Sequence, residues 1–360
     1  MKIHLISGFL GSGKTTALLN ASKILTNKGV SCSVITNDQG SYLVDSRFIN
    51  QSNIPITEVT GGCFCCNYNQ FDSKISKLQH NFNPSVVFAE SVGSCTDVIS
   101  TVLKPMIKYR KKDIEQVTFS SFVDSQLLLM YLKNEVLPFK AETVYIWEKQ
   151  LEEAEILIVN KIDLLKSNEL EELKLLVNLN YQSKQVLFQN SHDIKSITNW
   201  LNVIDSNTIN LNHKSIEVDY DKYAVGEANL AWLDEEIDIV ATNNSALEIA
   251  FDFIGSFTAC IVQKSLTIGH LKFYLTSNDE SLKISFTSLS NNRIINTFYN
   301  TKSNKVNLLV NARIQTDPTN LRKIITEILN LIRSHNQVTI SEQNISYFKP
   351  GYPKPTHRIL

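Results

Sequence analysis

The sequence predicts an α/β protein of two domains, a mainly parallel sheet with helices on both faces followed by a smaller α+β domain. Three observations lead there. Short apolar runs alternate with helical patterns over roughly the first two hundred residues, the rhythm of a parallel sheet covered on both sides. "GFLGSGKT", Gly8 to Thr15, stands between an apolar strand and a helical pattern, which is the setting of a phosphate-binding loop and makes the first domain a P-loop NTPase domain. Past residue 235 the rhythm changes to strands of antiparallel type and two long helical stretches.

Taken in order, the expected strands of residues 1–207 are "KIHLIS", "SCSVIT", "SVVFAE", "EQVTFSSFV", "AEILIVN" and "KQVLFQ". Helices fit between them, notably "KTTALLNASKILTNKG", where Gly29 supplies a C-terminal stop, and "NELEELKLLVNLN". "SITNWLNVI" closes the pattern. Residues 208–235 are polar and aperiodic and are expected to form an extended connection. In 236–345, "NNSALEIAFDFIGSF" is a helix and "IGHLKFYLTS", "SLKISFTSLS" and "KVNLLVNARI" are strands. A last helix starts at Asp317 with Pro318 in its first position. Residues 346–360 form a proline-punctuated tail.

The chain has 360 residues, 43% of them hydrophobic, enough for two cores. With 35 basic and 36 acidic residues the formal charge is -1, and no long single-sign block argues for nucleic acid or an anionic membrane. The start, "MKIHLISGFLG", has the character of a buried strand and not of a signal peptide. No run reaches the roughly 18 uninterrupted apolar residues of a membrane-crossing helix, so a cytoplasmic location is expected. Six cysteines, three of them crowded into "GGCFCC", do not form a spaced disulfide framework. A reducing compartment fits, and a disulfide staple is not expected.

The phosphate loop assigns nucleotide contacts to Gly8, Gly11, Ser12, Gly13, Lys14, Thr15 and Thr16. Its glycines let successive backbone N–H groups face phosphate while the helix behind presents its positive end. Lys14 is expected to reach the β and γ phosphates and the Thr15 hydroxyl to ligate Mg²⁺. "NKID" ends a buried strand with Asn160, Lys161 and Asp163. A carboxylate at Asp163 accepts from the adjacent N1 and N2 donors of guanine, which adenine lacks, so GTP is favoured over ATP. "SVVFAESVG" brings Glu90 to the end of another strand as a Mg²⁺ carboxylate and puts Gly93 at the γ-phosphate. "TNDQGSYLVD" occupies the place of a first switch, with Asp38 and Asp45 as candidates for positioning water or metal.

Cys63, Cys65 and Cys66 can offer three thiolates to one soft cation once Gly61 and Gly62 turn the chain. Zn²⁺ suits three sulfurs at about 2.3 Å, with a fourth position left over. Buried structural cysteines and a redox thiol cluster are the alternatives.

Together, "GFLGSGKTT", "GGCFCC", "ESVG" and "NKID", in this order, resemble the CobW-type GTPases, relatives of the HypB and UreG metallochaperones. The resemblance covers the nucleotide domain, and the C-terminal part only in layout. It implies a GTPase that loads GTP with Mg²⁺, carries Zn²⁺ or Co²⁺ on Cys63, Cys65 and Cys66, and links turnover to handing the metal to a client metalloprotein. By the same match, phosphate and Mg²⁺ contacts fall to Gly13, Lys14, Thr15 and Glu90, and base contacts to Asn160 and Asp163.

Two departures stand out. Asn37-Asp38-Gln39-Gly40 replaces the Asn-Glu-Phe-Gly of many relatives, and "SCTD" stands where proline usually follows. The second places Cys95 near the γ-phosphate position, either as a further metal ligand in the GTP state or as a helix-start cysteine. Histidine-rich loops are absent, and His270 and His357 are expected to be surface or packing residues. Slow turnover is expected, because no arginine finger or water-positioning glutamine is identifiable. Homodimerisation stays open. Two rivals remain: a GTP-dependent activator or scaffold of a metalloenzyme with a permanent structural zinc, and a P-loop kinase acting on a small molecule.

Overall fold

The structure, a computed structural model, describes residues 1–40, 44–50, 54–206, 213–278, 280–289, 302–335 and 337–360. It divides into two compact units: residues 1–39, 49–226 and 352–360, and residues 40–48 and 227–351.

The first unit is built on seven strands: β1 Lys2–Gly8, β2 Cys32–Asn37, β3 Ile56–Val59, β4 Val86–Glu90, β5 Gln116–Asp124, β6 Ile156–Asn160 and β7 Gln185–Gln189. All pair in parallel, in the order β3-β2-β4-β1-β5-β6-β7. Strands β2, β4 and β6 are buried at every residue. Burial on both faces explains why the central strands appear in the sequence as continuous apolar runs with no alternation. The six expected strands are all present. The missed one, β3, is a four-residue edge strand, "ITEV", three of whose residues are only half-buried, so neither length nor pattern marks it.

Helices run between the strands, among them Lys14–Asn27, Tyr68–Phe82, Ala141–Glu153, Ser167–Asn180 and Ile194–Asp205. Gly29, with φ of 76°, takes the left-handed conformation that ends the first of these. Residues 207–212 lie outside the described residues, but the rest of the expected connection is not simply extended. A helix spans Tyr220–Ala228, and its Gly226 lies so close to the helix Ala141–Glu153 that a Cβ would stand 2.3 Å from the Glu142 carbonyl oxygen. Hence residues 213–226 pack as part of the first unit.

The second unit holds an antiparallel sheet of β8 Ala231–Ala241, β9 Ile268–Ser277, β10 Glu280–Phe286, β11 Lys305–Ile314 and β12 Val338–Phe348, in the order β10-β9-β11-β8-β12. Two helices, Ala246–Gln263 and Pro318–His335, bury Phe253, Phe257, Leu321 and Ile325 against Leu233, Ile237, Leu308 and Val310 of one sheet face. The first of these helices is long and apolar enough to cross a membrane by length and composition, but that apolar side is its core contact here. Asp317 Oδ1 accepts from Thr319 N at 2.9 Å and starts the second helix where the sequence places it.

Two boundaries differ from expectation. Strand β8, "AWLDEEIDIVA", begins inside the segment read as a connection, and β12 runs into the segment read as tail. Both carry polar residues on a face the helices do not cover. On β8 and β11 that face holds a fully buried Arg313–Asp234 pair at 2.7 Å, with the guanidinium 4.1 Å from the Trp232 ring centroid.

Helix Ala141–Glu153 ends on a buried carboxylic acid. Glu153 Oε1 accepts from Ile99 N at 2.5 Å, at the start of the π-helical turn Ile99–Leu103. Burial pushes the Glu153 carboxyl up to about 8; the Ile99 N–H works against this and the nearby Asp97 charge adds to it. Since the folded value lies above the unfolded one, the protonated acid's contribution is complete below about pH 4.5 and is lost as pH rises towards 8. Glu153→Gln should therefore flatten the decline of Tm between pH 5 and 8, measured by thermal unfolding. A variant with the wild-type slope would mean that Glu153 is ionised throughout.

Candidate nucleotide and metal site

The chemistry-bearing loops of the first unit leave the carboxyl ends of β1, β2, β4 and β6, the edge at which open parallel sheets bind ligands. Gly8 ends β1 with φ of 129°, and a Cβ there would stand 2.1 Å from the Phe122 carbonyl oxygen of β5. Only glycine lets the chain turn so close to its neighbour. Gly11 and Gly13 continue the loop with φ of 73° and 90°. The Lys14 ammonium donates to the carbonyls of Gly8 at 2.6 Å and Phe9 at 3.1 Å, which holds a positive charge at the loop. Thr15 Oγ1 donates to Glu90 Oε1 at 2.9 Å, and both residues are buried. A hydroxyl and a carboxylate oxygen brought together beside a phosphate loop are the hard donors that Mg²⁺ takes. The donor set therefore fits that ion.

Asn160, expected at the base, also makes two bonds within the fold. Its Nδ2 donates to the Ser12 carbonyl at 2.8 Å, its Oδ1 accepts from Ser191 Oγ at 2.8 Å, and it is fully buried. Here it buttresses the phosphate loop from β6. A Cβ on Gly13 would stand 2.4 Å from Asn160 Nδ2, so the loop glycine and the asparagine depend on each other. Lys161, with φ of 63°, pairs with Asp124 at 2.9 Å. Asp163 lies exposed on the short turn Ile162–Leu164.

Gly93 follows β4, and a Cβ there would stand 2.7 Å from a methyl carbon of Leu10 in the phosphate loop. Gln150 Nε2 donates to the carbonyls of both Gly93 and Cys95, at 3.0 and 2.9 Å. Nothing in the sequence marks this glutamine, which lies mid-helix nearly sixty residues away. Asp38, half-buried just after β2, donates its N–H to the Val59 carbonyl at 3.2 Å. Asp45 is engaged elsewhere. It belongs to the second unit, where its carboxylate bridges Lys272 at 2.5 Å and Lys283 at 2.7 Å. Burial raises its carboxyl pKa, but the two ammonium groups overcome this and hold it well below the usual carboxylate range. That network, and not water or metal, accounts for its charge.

The cysteine loop is tied to the end of β2. Asn37 Nδ2 donates to the carbonyls of Val59 at 3.0 Å and Gly62 at 2.8 Å, and Asn37 Oδ1 accepts from Phe64 N at 2.7 Å. Phe64 is fully buried and stacks on Phe71 with centroids 4.3 Å apart. Between these anchors the sulfurs of Cys63, Cys65 and Cys66 lie within 4.8 Å of one another. The structure joins Cys63 and Cys65 as a disulfide, contrary to expectation. Gly61 and Gly62, with φ of 74° and 154°, lead into a turn closed by Asn67 N donating to the Cys63 carbonyl at 2.9 Å, and that turn contains both cysteines. Binding through all three sulfurs requires that pair reduced. Four arms of about 2.3 Å to one tetrahedral ion give sulfur separations of about 3.8 Å, and Cys65 and Cys66 stand 3.8 Å apart. The reduced set thus fits a tetrahedral thiolate metal.

The tail, read only as an extended end, strands itself across this loop. Thr356 N donates to the Cys65 carbonyl and Thr356 Oγ1 to the Cys66 carbonyl, both at 2.9 Å, while Lys354 N donates to Cys66 Sγ at 3.2 Å. His357 packs between Tyr68 and Tyr109, the packing part expected of it, and Arg358 pairs with the buried Asp97 at 2.7 Å. N–H groups aimed at a ligating sulfur orient it and spread its charge.

The family model of the CobW/HypB/UreG nucleotide-binding domain matches residues 2–188. The chain is 26% identical over 225 residues to zinc-regulated GTPase metalloprotein activator 1 of Dictyostelium discoideum, covering 53% of this chain and 46% of that protein. It is 34% identical over 97 residues to the zinc chaperone YjiA of Escherichia coli strain K12, covering 26% and 30%. It therefore spans less than half the length of either relative. Among solved structures, HypB from Helicobacter pylori in complex with nickel covers 60% of this chain and 91% of its own, at 16% identity and a TM-score of 0.41. Zn(II)-bound YjiA GTPase from E. coli covers 91% and 98%, at 14% identity and a TM-score of 0.37.

Two outcomes test the geometry. Gly13→Ala forces a left-handed alanine against Asn160, a strain of about 1–3 kcal/mol, and should weaken GDP binding about tenfold or more in a fluorescent-nucleotide titration. Wild-type affinity would show that the loop relaxes freely. A chain ending at Gly351 loses the three tail bonds to Cys65 and Cys66. Under reducing conditions Cys66 should then be alkylated several-fold faster, as read by mass spectrometry, and an unchanged rate would remove the tail from the site.

Proposed function

This chain belongs to the CobW/HypB/UreG family, and on that footing we propose that it binds and hydrolyses GTP and carries Zn²⁺, or a similar transition ion, to a client metalloprotein. The observation that carries the reading is Asn37: the residue that ends β2, at the first switch, also holds the cysteine loop through three hydrogen bonds. A nucleotide that reorders the switch then bears directly on the sulfurs.

In this mechanism the backbone from Gly8 to Thr16 cradles the phosphates, and the Lys14 ammonium turns from the Gly8 and Phe9 carbonyls to the β and γ phosphates. Thr15 and Glu90 would hold Mg²⁺, which supplies charge neutralisation at the phosphate oxygens. Asp163 accepts from guanine N1 and N2, while Asn160 keeps the phosphate loop in place beneath it. Gly93, held by Gln150, senses the γ-phosphate. Of the two switch carboxylates, Asp38 alone remains a candidate for orienting water. Slow turnover is expected, because the sequence marks no arginine finger or water-positioning glutamine to complete the charge stabilisation. The thiolates call for a reducing compartment, which suits a cytoplasmic protein.

Coupling of this kind is reciprocal: whatever factor nucleotide applies to metal affinity, metal applies to nucleotide affinity. Zn²⁺ titration of the reduced protein with GDP and with a non-hydrolysable GTP analogue should give dissociation constants about fivefold apart or more. Equal tight affinities would favour the activator or scaffold with a permanent zinc, and the burial of Cys63 and Cys65, 3% and 1% exposed, is the feature that would explain it.

A further inference from the structure

Resting on that reading, the geometry points to a fourth sulfur in the metal site: Cys95, from the loop after β4, closes the three-cysteine set into a four-thiolate cage. Cys95 Sγ stands 3.9 Å from Cys65 Sγ, and Cys65 Sγ stands 3.8 Å from Cys66 Sγ. Both separations match the edge of about 3.8 Å expected for sulfurs sharing one tetrahedral ion; Cys95 Sγ stands outside the 4.8 Å set that Cys63, Cys65 and Cys66 form, so closing the cage draws it nearer to the remaining sulfurs. Cys65 and Cys95 lie 30 residues apart in the chain, so no local turn forces them together. The fold does it, because β2 pairs in parallel with β3, which leads to the cysteine loop, and with β4, which leads to Cys95.

Cys95 is fully buried and stands on a constrained turn. Its N–H donates to the Val92 carbonyl at 2.9 Å, and Gln150 ties its carbonyl to that of Gly93. Gly93 in turn presses on Leu10 of the phosphate loop. One short segment thus runs from Glu90, beside Thr15, through Gly93 to Cys95. A displacement of that segment carries Cys95 towards or away from Cys65. With Cys95 in place the site is a closed four-sulfur set, the arrangement that retains metal; with it withdrawn, one position opens to an incoming ligand. Four thiolates around a divalent ion leave net negative charge, which the Lys354 N–H at Cys66 Sγ offsets in part. Such a cage selects soft or borderline transition ions over Mg²⁺ or Ca²⁺.

The test uses the reduced full-length protein with a non-hydrolysable GTP analogue. Co²⁺ titration reads the sulfur-to-cobalt charge-transfer band, and X-ray absorption of the Zn²⁺ form counts sulfur neighbours. Wild type should show four sulfurs, and Cys95→Ser three, with the charge-transfer intensity lower by about a quarter. The metal-induced rise in Tm should shrink in that variant. Cys66→Ser is the comparison. If it loses a sulfur while Cys95→Ser keeps the wild-type count, Cys95 is a packing residue and the inference fails, with the three-cysteine site intact. If wild type binds neither ion, the metallochaperone reading fails first. Should Cys95→Ser not fold, the wild-type sulfur count alone decides, since three sulfurs there overturn the inference.

Discussion

The Asn37 side chain sits where two kinds of chemistry meet, and its amide is spent entirely on backbone. Both of its Nδ2 bonds and the bond to Oδ1 reach the segment from Val59 to Phe64. A buried amide of this kind is costly to leave unsatisfied, about 1–3 kcal/mol for each orphaned group. The end of β2 and the start of the cysteine loop therefore move as one piece or not at all. The Thr15–Glu90 bond and the Gln150 bridge do the same for the phosphate loop and the turn after β4. What looks like four separate loops is a small number of linked bodies on one sheet edge.

Much of this was legible in the sequence because the decisive patterns are local. A glycine-rich turn with Lys14 and Thr15, a carboxylate closing an apolar strand, and three cysteines within four positions each carry their chemistry within ten residues. The illegible parts are long-range. Asn160 keeps the identity that the motif demands, and nothing local to it shows that its amide also bonds Ser12 and Ser191. Asp45 looks like a switch carboxylate until Lys272 and Lys283, more than two hundred residues on, take it. Strand β8 escaped because four of its eleven residues are acidic. Alternation fails where charge is used on both faces, with Glu235 paired to Arg322 and Asp234 to Arg313.

The second unit shows what those charges are for. On the sheet face away from its helices, the helix Val44–Asn50 is held by Val44 N to Asn311 Oδ1 at 2.8 Å and by Arg47 to Glu236 at 2.7 Å. Val44 also packs with Tyr274 and Leu309. Gly40 comes so close that a Cβ would stand 1.8 Å from Asp234 Oδ2. Ion pairs of this type add little net stability, but removing one partner of the fully buried pair costs about 3–5 kcal/mol, so they fix a unique docking in place of a generic greasy one.

The chain changes unit at residues 39/40, 48/49, 226/227 and 351/352, so neither unit is a contiguous length of polypeptide. Lys354 meets Cys66 across 288 residues. On the ribosome, the thiols emerge long before the tail that covers them exists and stay open to oxidants and stray ions until it is made. A cut placed between residues 207 and 235 to separate the halves would leave one without its clasp and the other without its docked helix.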